Sequence, residues 1–398
     1  MKHFDQIGDL KHLRFIDLSG TEIESLPEST GYLLYLQTLL LRNCRRISKL
    51  PTTIGNLLDL QYLVLVETQS LKEIPSEIDN LTSLVTLLKF IVGNARGPRI
   101  KDLKNLSCLR GQLSILNLQN VLDANDAKEA NLSEIKGLDD LSLEWCFDYH
   151  DGQNQSTETQ VLEWLKPHEG LKQLRINCFG GLEFPSWVGD PSFSNLEYLE
   201  LCNCKSTSLP SLGQLPQLKE LIITGMDALE IMMLEFDGGN SSSTSAFPAL
   251  ESLNLQDCPK LVGKLPKCTP SLKKLKIFKC PELRYSSLSL LLLEKLHIEE
   301  CSEVVLRSMV NLTSLKTSSI RKISKLTCLP KSFVESMITL KDIKIESCNE
   351  LTCLWEEGVN ILNLACLEKI EVRECLVLLL LTGKDQGLLL THSNFDNI

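Results

Sequence analysis

Apolar residues recur along the chain in the pattern L-x-x-L-x-L, which returns fifteen times. In nearly every copy the residues three and five places after the first leucine are apolar, and the residue between them is most often polar or charged. Because successive side chains of a strand point to opposite faces, this alternation predicts one short strand per copy, with one face buried. The first leucines of the fifteen copies are Leu13, Leu36, Leu60, Leu84, Leu113, Leu138, Leu171, Leu196, Leu218, Leu250, Leu272, Leu293, Leu315, Leu340 and Leu367.

Most successive copies are 21 to 25 residues apart, which is the period of a leucine-rich repeat. A single repeat cannot bury its apolar face, but neighbouring repeats that stack side by side share a continuous core. We therefore predict an α/β solenoid, a leucine-rich-repeat horseshoe of about fifteen repeats with a curved parallel β-sheet on its concave face.

Eight of the fifteen cysteines occupy one repeat position, eight residues after the first leucine. Their spacing follows the repeat and matches neither a disulfide framework nor a metal-ligand motif. We predict structural free thiols, which suit a reducing compartment and favour the cytoplasm. The eight residues are Cys44, Cys146, Cys204, Cys258, Cys280, Cys301, Cys348 and Cys375.

Six apolar-proline pairs follow the predicted strands. Proline lacks the N–H donor that would continue a ladder or helix, so these pairs predict irregular turns on the outer side. The pairs are Leu26-Pro27, Leu50-Pro51, Ile74-Pro75, Leu209-Pro210, Leu265-Pro266 and Leu329-Pro330.

The repeats are expected to extend over residues 1–375, with an irregular register at 90–137 and a divergent C-terminal tail at 376–398. Lys89 occupies a normally apolar position just before the irregular segment. Polar insertions at 147–166 and 227–246 account for the widest gaps between repeats. Neither end shows the polar cap that a solenoid requires, so we expect this chain to be part of a longer protein.

A short helix is predicted inside the first insertion. Thr157 and Gln160 have the spacing of a capping box, and Val161, Leu162 and Leu165 supply an apolar side before Pro167.

Composition and motifs exclude several classes of function. The net charge of −10 argues against general nucleic-acid binding, which needs a basic excess. The apolar runs are far shorter than the roughly 20 residues of a membrane helix, and the N-terminus shows no secretory signal. The histidines have no metal-ligand spacing, and the chain has neither a phosphate-binding loop nor a G-x-S-x-G motif. We predict no catalytic, cofactor-binding or metal-binding residues in this chain.

Six N-x-S/T motifs leave an extracellular receptor ectodomain open as an alternative. Such a short motif also arises by chance in leucine-rich segments, and without a secretory signal we expect these asparagines to be unmodified. They are Asn80, Asn105, Asn131, Asn154, Asn240 and Asn311.

The concave face is expected to hold the functional residues, because its side chains lie outside the core and are held rigidly by it. Aromatic and arginine side chains contribute most to binding at protein interfaces. The alternative for each residue is an ordinary solvated side chain, with lysine and glutamate paired across the sheet. The candidate partner-binding residues are Trp145, Arg175, Tyr198, Lys273, Lys274, Lys276, Phe278 and Lys279.

Six stretches resemble, in order, the repeat domain of plant coiled-coil nucleotide-binding leucine-rich-repeat disease resistance proteins. They are LKHLRFIDLSGTEIESLP at 10–27, LRGQLSILNLQNV at 109–121, DAKEANL at 126–132, LSLEW at 141–145, FPSWVGDPSF at 184–193 and SLPSLGQLPQLKEL at 208–221.

The resemblance implies a recognition module of an intracellular plant immune receptor. Its partners would be pathogen effectors or the host proteins they modify and, in a full-length receptor, the receptor's own nucleotide-binding domain. ADP or ATP would bind only in that upstream module, which is missing here. The alternatives are an extracellular ectodomain, a substrate adaptor of a ubiquitin ligase, and a non-functional truncated resistance-gene product.

Overall fold

The computed structural model describes residues 4–94, 97–146, 155–230, 247–262, 269–283 and 288–377. The chain divides into two compact units, residues 1–206 and 207–398. Most of the predicted insertion at 227–246 and of the predicted tail at 376–398 lies outside the described residues, as does the pair Leu265-Pro266.

The described residues of the first unit contain nine strands and two α-helices. The strands are β1 (Phe15–Asp17), β2 (Thr38–Leu40), β3 (Tyr62–Val64), β4 (Thr86–Leu87), β5 (Lys89–Ile91), β6 (Arg110–Leu116), β7 (Gly137–Glu144), β8 (Gln173–Asn177) and β9 (Tyr198–Cys202). The helices are α1 (Ala124–Ala130) and α2 (Gln155–Trp164). Its 3₁₀ helices are Phe4–Asp9, Glu28–Tyr32, Thr52–Asn56, Ser76–Asn80, Ile100–Asn105, Leu118–Asn120, Leu132–Glu134 and Ser186–Gly189.

The second unit also contains nine described strands and two short α-helices. The strands are β10 (Glu220–Thr224), β11 (Ser252–Gln256), β12 (Lys274–Phe278), β13 (Leu288–Ser289), β14 (Lys295–Glu299), β15 (Met309–Val310), β16 (Thr317–Arg321), β17 (Asp342–Glu346) and β18 (Lys369–Arg373). The helices are α3 (Val304–Ser308) and α4 (Lys331–Glu335), and the 3₁₀ helices are Leu212–Gln214 and Ile361–Leu364.

Each repeat contributes a strand, and within each unit strands of neighbouring repeats pair in parallel. In the first unit β1 to β4 form one parallel sheet, and β5 to β9 pair in succession. In the second unit the order is β10-β11-β12-β14-β16-β17-β18, with β13 and β15 paired separately. Most leucines of the pattern are buried, as Leu39, Leu201 and Leu293 illustrate at 0% exposure, whereas Leu13 and Leu367 in the first and last repeats are half-buried. The leucine-rich-repeat fold predicted from the pattern is confirmed.

The ladder is interrupted at Leu88, which separates β4 from β5. Lys89 occupies a position where other repeats bury an apolar residue, and the next residue, Phe90, is buried in its place. A shift of one residue exchanges the two faces of a strand. The break at Leu88 separates two sets of paired strands, one that ends at β4 and one that begins at β5.

Proline marks where the outer side of the repeat begins. Pro27, Pro51 and Pro75 each precede a 3₁₀ helix, and Pro330 precedes α4. The fixed φ of proline suits an extended residue before a helical turn. The outer turns predicted as irregular at these positions are short helices.

Most described strands are followed within three residues by a residue with left-handed backbone, and the ladder position comes next. Asn43, Asp257 and Glu300 have φ values of 55°, 49° and 52° and precede Cys44, Cys258 and Cys301. The thiol then donates to a strand carbonyl: Cys44 Sγ to Leu18 O at 3.1 Å, and Cys301 Sγ to Glu299 O at 3.2 Å. These buried thiols satisfy backbone acceptors at the turn, and all fourteen described cysteines are free.

Helix α2 spans Gln155–Trp164, so Thr157, the expected cap of the helix predicted in the first insertion, lies inside the helix. Val161, Leu162 and Leu165 are buried as predicted. None of the helices in the described part of the chain has the length and apolar character needed to cross a bilayer.

Candidate functional site

The outward face of the paired strands carries the candidate residues, because the inward positions are filled by leucine and isoleucine. In β8, for example, Leu174 and Ile176 are buried, whereas Gln173, Arg175 and Asn177 are half-buried on the opposite face. Parallel pairing then aligns equivalent outward residues of successive repeats in rows.

Trp145 does not belong to this face. It follows β7, and its indole is only 2% exposed, packed edge-to-face against Phe179 with ring centroids 5.3 Å apart. Trp145 lies two residues after Leu143 and four after Leu141, so strand alternation directs all three side chains to the core. The prediction that Trp145 is an exposed partner-binding residue was wrong.

Arg175 and Tyr198 lie side by side on the outward face of the first unit. The Arg175 guanidinium contacts Asp140 on β7, lies 3.5 Å from Glu200 on β9, and stands 4.8 Å from the centre of the Tyr198 ring. The Tyr198 hydroxyl donates to Glu200 Oε2 at 2.7 Å. Three strands thus hold one planar cation against an aromatic ring, a rigid arrangement suited to protein contacts.

Burial and charge both affect this cluster. Partial burial raises the pKa of the Asp140 carboxyl, and Arg175 offsets part of that effect. Burial, reinforced by the hydrogen bond to Glu200, raises the pKa of Tyr198 to about 12. The tyrosine is therefore a neutral hydrogen-bond donor at physiological pH.

The predicted basic residues in and beside β12 fall into two groups, those with an acidic partner and those without one among the described residues. Lys273 pairs with Glu251 at 3.0 Å, and Lys279 pairs with Asp257 at 3.6 Å while lying 4.9 Å from the centre of the Phe278 ring. Phe278 is half-buried at the end of β12. Lys273 and Lys279 therefore form ion pairs within the chain.

Lys274 and Lys276 point outward from β12 and are exposed. Across the pairing register, Lys274 faces Lys295 and Lys276 faces His297 on β14. Lys295 was not among the predicted site residues. The signal was present in the sequence, because Lys274 and Lys295 each lie two places after the first leucine of their repeats.

An ion-pair network continues from His297 along the outward face. His297 Nε2 lies 3.4 Å from Glu299, and Arg321 bridges Glu299 at 3.5 Å and Glu346 at 3.2 Å. Burial lowers the pKa of His297, Glu299 opposes this shift, and the nearby positive charge of Lys276 adds to it. The acidic side chains of this row, Glu299 and Glu346, thus lie on either side of Arg321 and are held by it. The sequence analysis did not identify this row.

Clusters of three or more possible metal ligands do not occur among the residues that the structure describes. The outward face is instead a set of fixed polar, charged and aromatic side chains on a parallel ladder.

Residues 100–226 match the family model described as R13L1/DRL21 LRRs. The chain is similar to disease resistance RPP13-like protein 1 of Arabidopsis thaliana, with 38% identity over 392 residues, covering 93% of this chain and 37% of the relative. It is also similar to disease resistance protein RGA2 of Solanum bulbocastanum, with 36% identity over 278 residues, covering 68% of this chain and 26% of that protein. The chain therefore spans less than two fifths of the length of these relatives.

Among solved structures, a leucine-rich-repeat protein of Leptospira interrogans aligns with a TM-score of 0.47 and 20% identity, covering 92% of this chain and 80% of that one.

Proposed function

We propose that this chain, which belongs to the leucine-rich-repeat family of plant disease resistance proteins, is the protein-recognition module of an intracellular immune receptor. In this role it senses pathogen effectors, or host proteins that effectors have modified, and it binds without catalysing a reaction. The observation that carries the proposal is the similarity to the RPP13-like protein, which extends over 93% of this chain.

The arrangement of the outward face supports a role in recognition. Inward positions repeat the same few apolar residues, whereas outward positions differ from strand to strand: polar and cationic on β8, basic and aromatic on β12, and mixed in charge on β17. A shared core with a variable, rigidly held face allows the surface to change while the fold is kept.

The buried ladder thiols support a cytoplasmic location. Burial raises the pKa of Cys301 to about 11, so this thiol is protonated and unreactive in the folded protein. A row of such free thiols suits a reducing compartment. In the receptor that carries these repeats, ADP or ATP would bind to a nucleotide-binding module, and that module would be a second, internal partner of the array.

The test is a repeat exchange. In the receptor that carries these repeats, the array is replaced by the matching repeats of the RPP13-like protein, and both receptors are expressed in leaves with a panel of pathogen effectors. We expect the effector that triggers cell death to change with the array. Immunoblots confirm equal receptor levels.

Recognition that stays with the rest of the receptor after the exchange would contradict the proposal. The exchanged receptor must still trigger cell death when it carries an activating mutation. If such a receptor then responds to every effector, or to none, the proposal is also contradicted.

A second candidate is an extracellular receptor ectodomain, which one observation favours. Four of the six N-x-S/T asparagines, Asn80, Asn105, Asn131 and Asn311, are exposed. Mass spectrometry of the protein purified from leaves separates the two candidates. An intracellular receptor carries these asparagines unmodified, and glycans on Asn80 or Asn311 would support the extracellular alternative.

A further inference from the structure

Charges on the outward face and edge of the second unit are mostly paired between neighbouring strands. Lys316 lies 2.9 Å from Glu294, and Lys322 lies 2.8 Å from Glu300. Pairs of this kind recur from β14 to β18, where Lys341 also contacts Glu368 at 2.8 Å. Cross-strand pairs of opposite charge stabilise a sheet.

The neighbouring strands β12 and β14 depart from this complementarity. Lys274 and Lys295 stand directly opposite each other on β12 and β14, and Lys276 lies two residues along from Lys274 on the same face. Within the described ranges, none of these three lysines makes an ion pair, and all three are exposed. Like charges placed opposite each other destabilise a sheet. We call these three residues the lysine cluster.

The cluster is bounded by lysines that do have partners. Lys273 is adjacent to Lys274 in sequence but is paired with Glu251, and Lys279 is paired with Asp257. The unpaired positive charge of this strand is therefore confined to the outward side chains at Lys274 and Lys276, together with Lys295 beside them.

We propose that the lysine cluster binds an extended acidic segment of a partner protein, one whose carboxylates lie on alternate residues. This inference rests on the proposed function, because it assigns the chemistry of a partner to the recognition surface. Side chains on alternate residues of a strand are roughly 6.6 Å apart. Lys274 and Lys276 have this relation, and an extended segment with alternating acidic residues repeats at the same distance.

The aromatic ring of Phe278 completes the site. It lies two residues beyond Lys276 on the same face of β12 and is half-buried. An apolar residue of the bound segment, placed two positions beyond the second carboxylate, would reach this ring. The site is therefore expected to favour an acidic segment that ends in an apolar residue.

The surroundings favour a short acidic protein segment over nucleic acid. Glu251, Asp257 and Glu294 border the cluster, and the chain as a whole has a net charge of −10. Nucleic acid carries a negative charge about every 1.7 Å of duplex axis and would extend onto these carboxylates. A segment with two or three carboxylates meets only the lysines.

The test compares two variants of the full chain with equal changes in charge. In the cluster variant Lys274, Lys276 and Lys295 are changed to glutamine. In the control variant three lysines that have partners away from the cluster, Lys316, Lys322 and Lys341, are changed to glutamine. The probe is a fluorescent peptide of alternating glutamate and threonine that ends in leucine, and binding is measured by fluorescence anisotropy at low and physiological salt.

We expect the cluster variant to bind the peptide about tenfold more weakly than the unaltered chain, and the control variant to bind within about twofold. Equal losses in the two variants would overturn the inference, because they would indicate only an effect of net charge. Tighter binding of a single-stranded oligonucleotide or a phosphopeptide than of the acidic peptide would also overturn it.

Thermal unfolding of the same proteins provides a second readout. Residues that serve binding often lower the stability of the fold, and Lys274 and Lys295 repel each other across the sheet. Removing this repulsion is therefore expected to leave the Tm unchanged or to raise it. A lower Tm for the cluster variant than for the control would indicate a structural role for these lysines and would contradict the inference.

The repeat exchange separates this inference from the proposed function. If exchanged arrays transfer effector recognition but the peptide binds the cluster variant normally, the proposed function stands and the assignment of the lysine cluster fails. If the peptide depends on the cluster but recognition does not follow the array, the proposed function fails.

Discussion

At the scale of single residues, position within the strand decides whether a side chain can meet a partner. Arg175, Tyr198 and Phe278 alternate with buried residues and lie on the outward face. Trp145 falls on the inward side of this alternation and lies in the core, although tryptophan is enriched at protein interfaces. Its indole Nε1 has no hydrogen-bond partner among the described residues, so it contributes through packing.

We expect Trp145→Ala to lower the free energy of unfolding by about 3–5 kcal/mol, because it leaves a cavity beside Phe179. The matched control is Trp164→Ala, since Trp164 is 43% exposed and contacts Lys128 only through its ring face, at 4.5 Å. That change should cost about 1 kcal/mol or less. Urea unfolding followed by circular dichroism measures both, and equal losses would mean that Trp145 is not a core residue.

At the scale of elements, the outer 3₁₀ helices of the first unit approach each other where glycine allows it. A Cβ added at Gly31 would lie 2.4 Å from Thr53 O, and one added at Gly55 would lie 2.5 Å from Glu77 O. The backbones of successive repeats are therefore in contact on the outer side. This spacing complements the strand pairing on the other side of the core.

We expect Gly55→Ala to destabilise the protein by roughly 1–3 kcal/mol, because the added methyl group forces adjacent repeats apart. The control is Asn56→Ala, an exposed neighbour in the same 3₁₀ helix. Differential scanning calorimetry should show a lower Tm for the first variant and little change for the second. A similar Tm for both variants would show that this helix can move without cost.

At the scale of the whole molecule, the ladder thiols recur in both units. Cys44, Cys204, Cys258, Cys280, Cys301 and Cys348 are buried, whereas Cys108, Cys353 and Cys366 are exposed. Burial raises the pKa of Cys301 to about 11, and it raises the pKa of Cys204 further still. Reactivity of the thiols therefore reports on the folding of the array.

We predict that brief treatment of the native protein with iodoacetamide modifies Cys108, Cys353 and Cys366 first. The six buried ladder thiols should react about 100-fold more slowly, since the reagent reaches them only after local opening of the repeat. Mass spectrometry of peptides gives the rates, and the urea-unfolded chain is the control in which all thiols react alike. Ladder thiols that react as fast as Cys353 in the native protein would refute the buried ladder.

The sequence by itself determined the repeat, the parallel strands, the inward leucines and the ladder position of the cysteines. These features follow from a local pattern of apolar residues that recurs in each repeat. The tertiary structure alone decided which outward charges are paired. Lys273 and Lys274 are adjacent in sequence, yet only Lys273 meets a carboxylate, because pairing depends on cross-strand register and side-chain reach. The set of unpaired charges that a partner can meet is therefore a property of the fold.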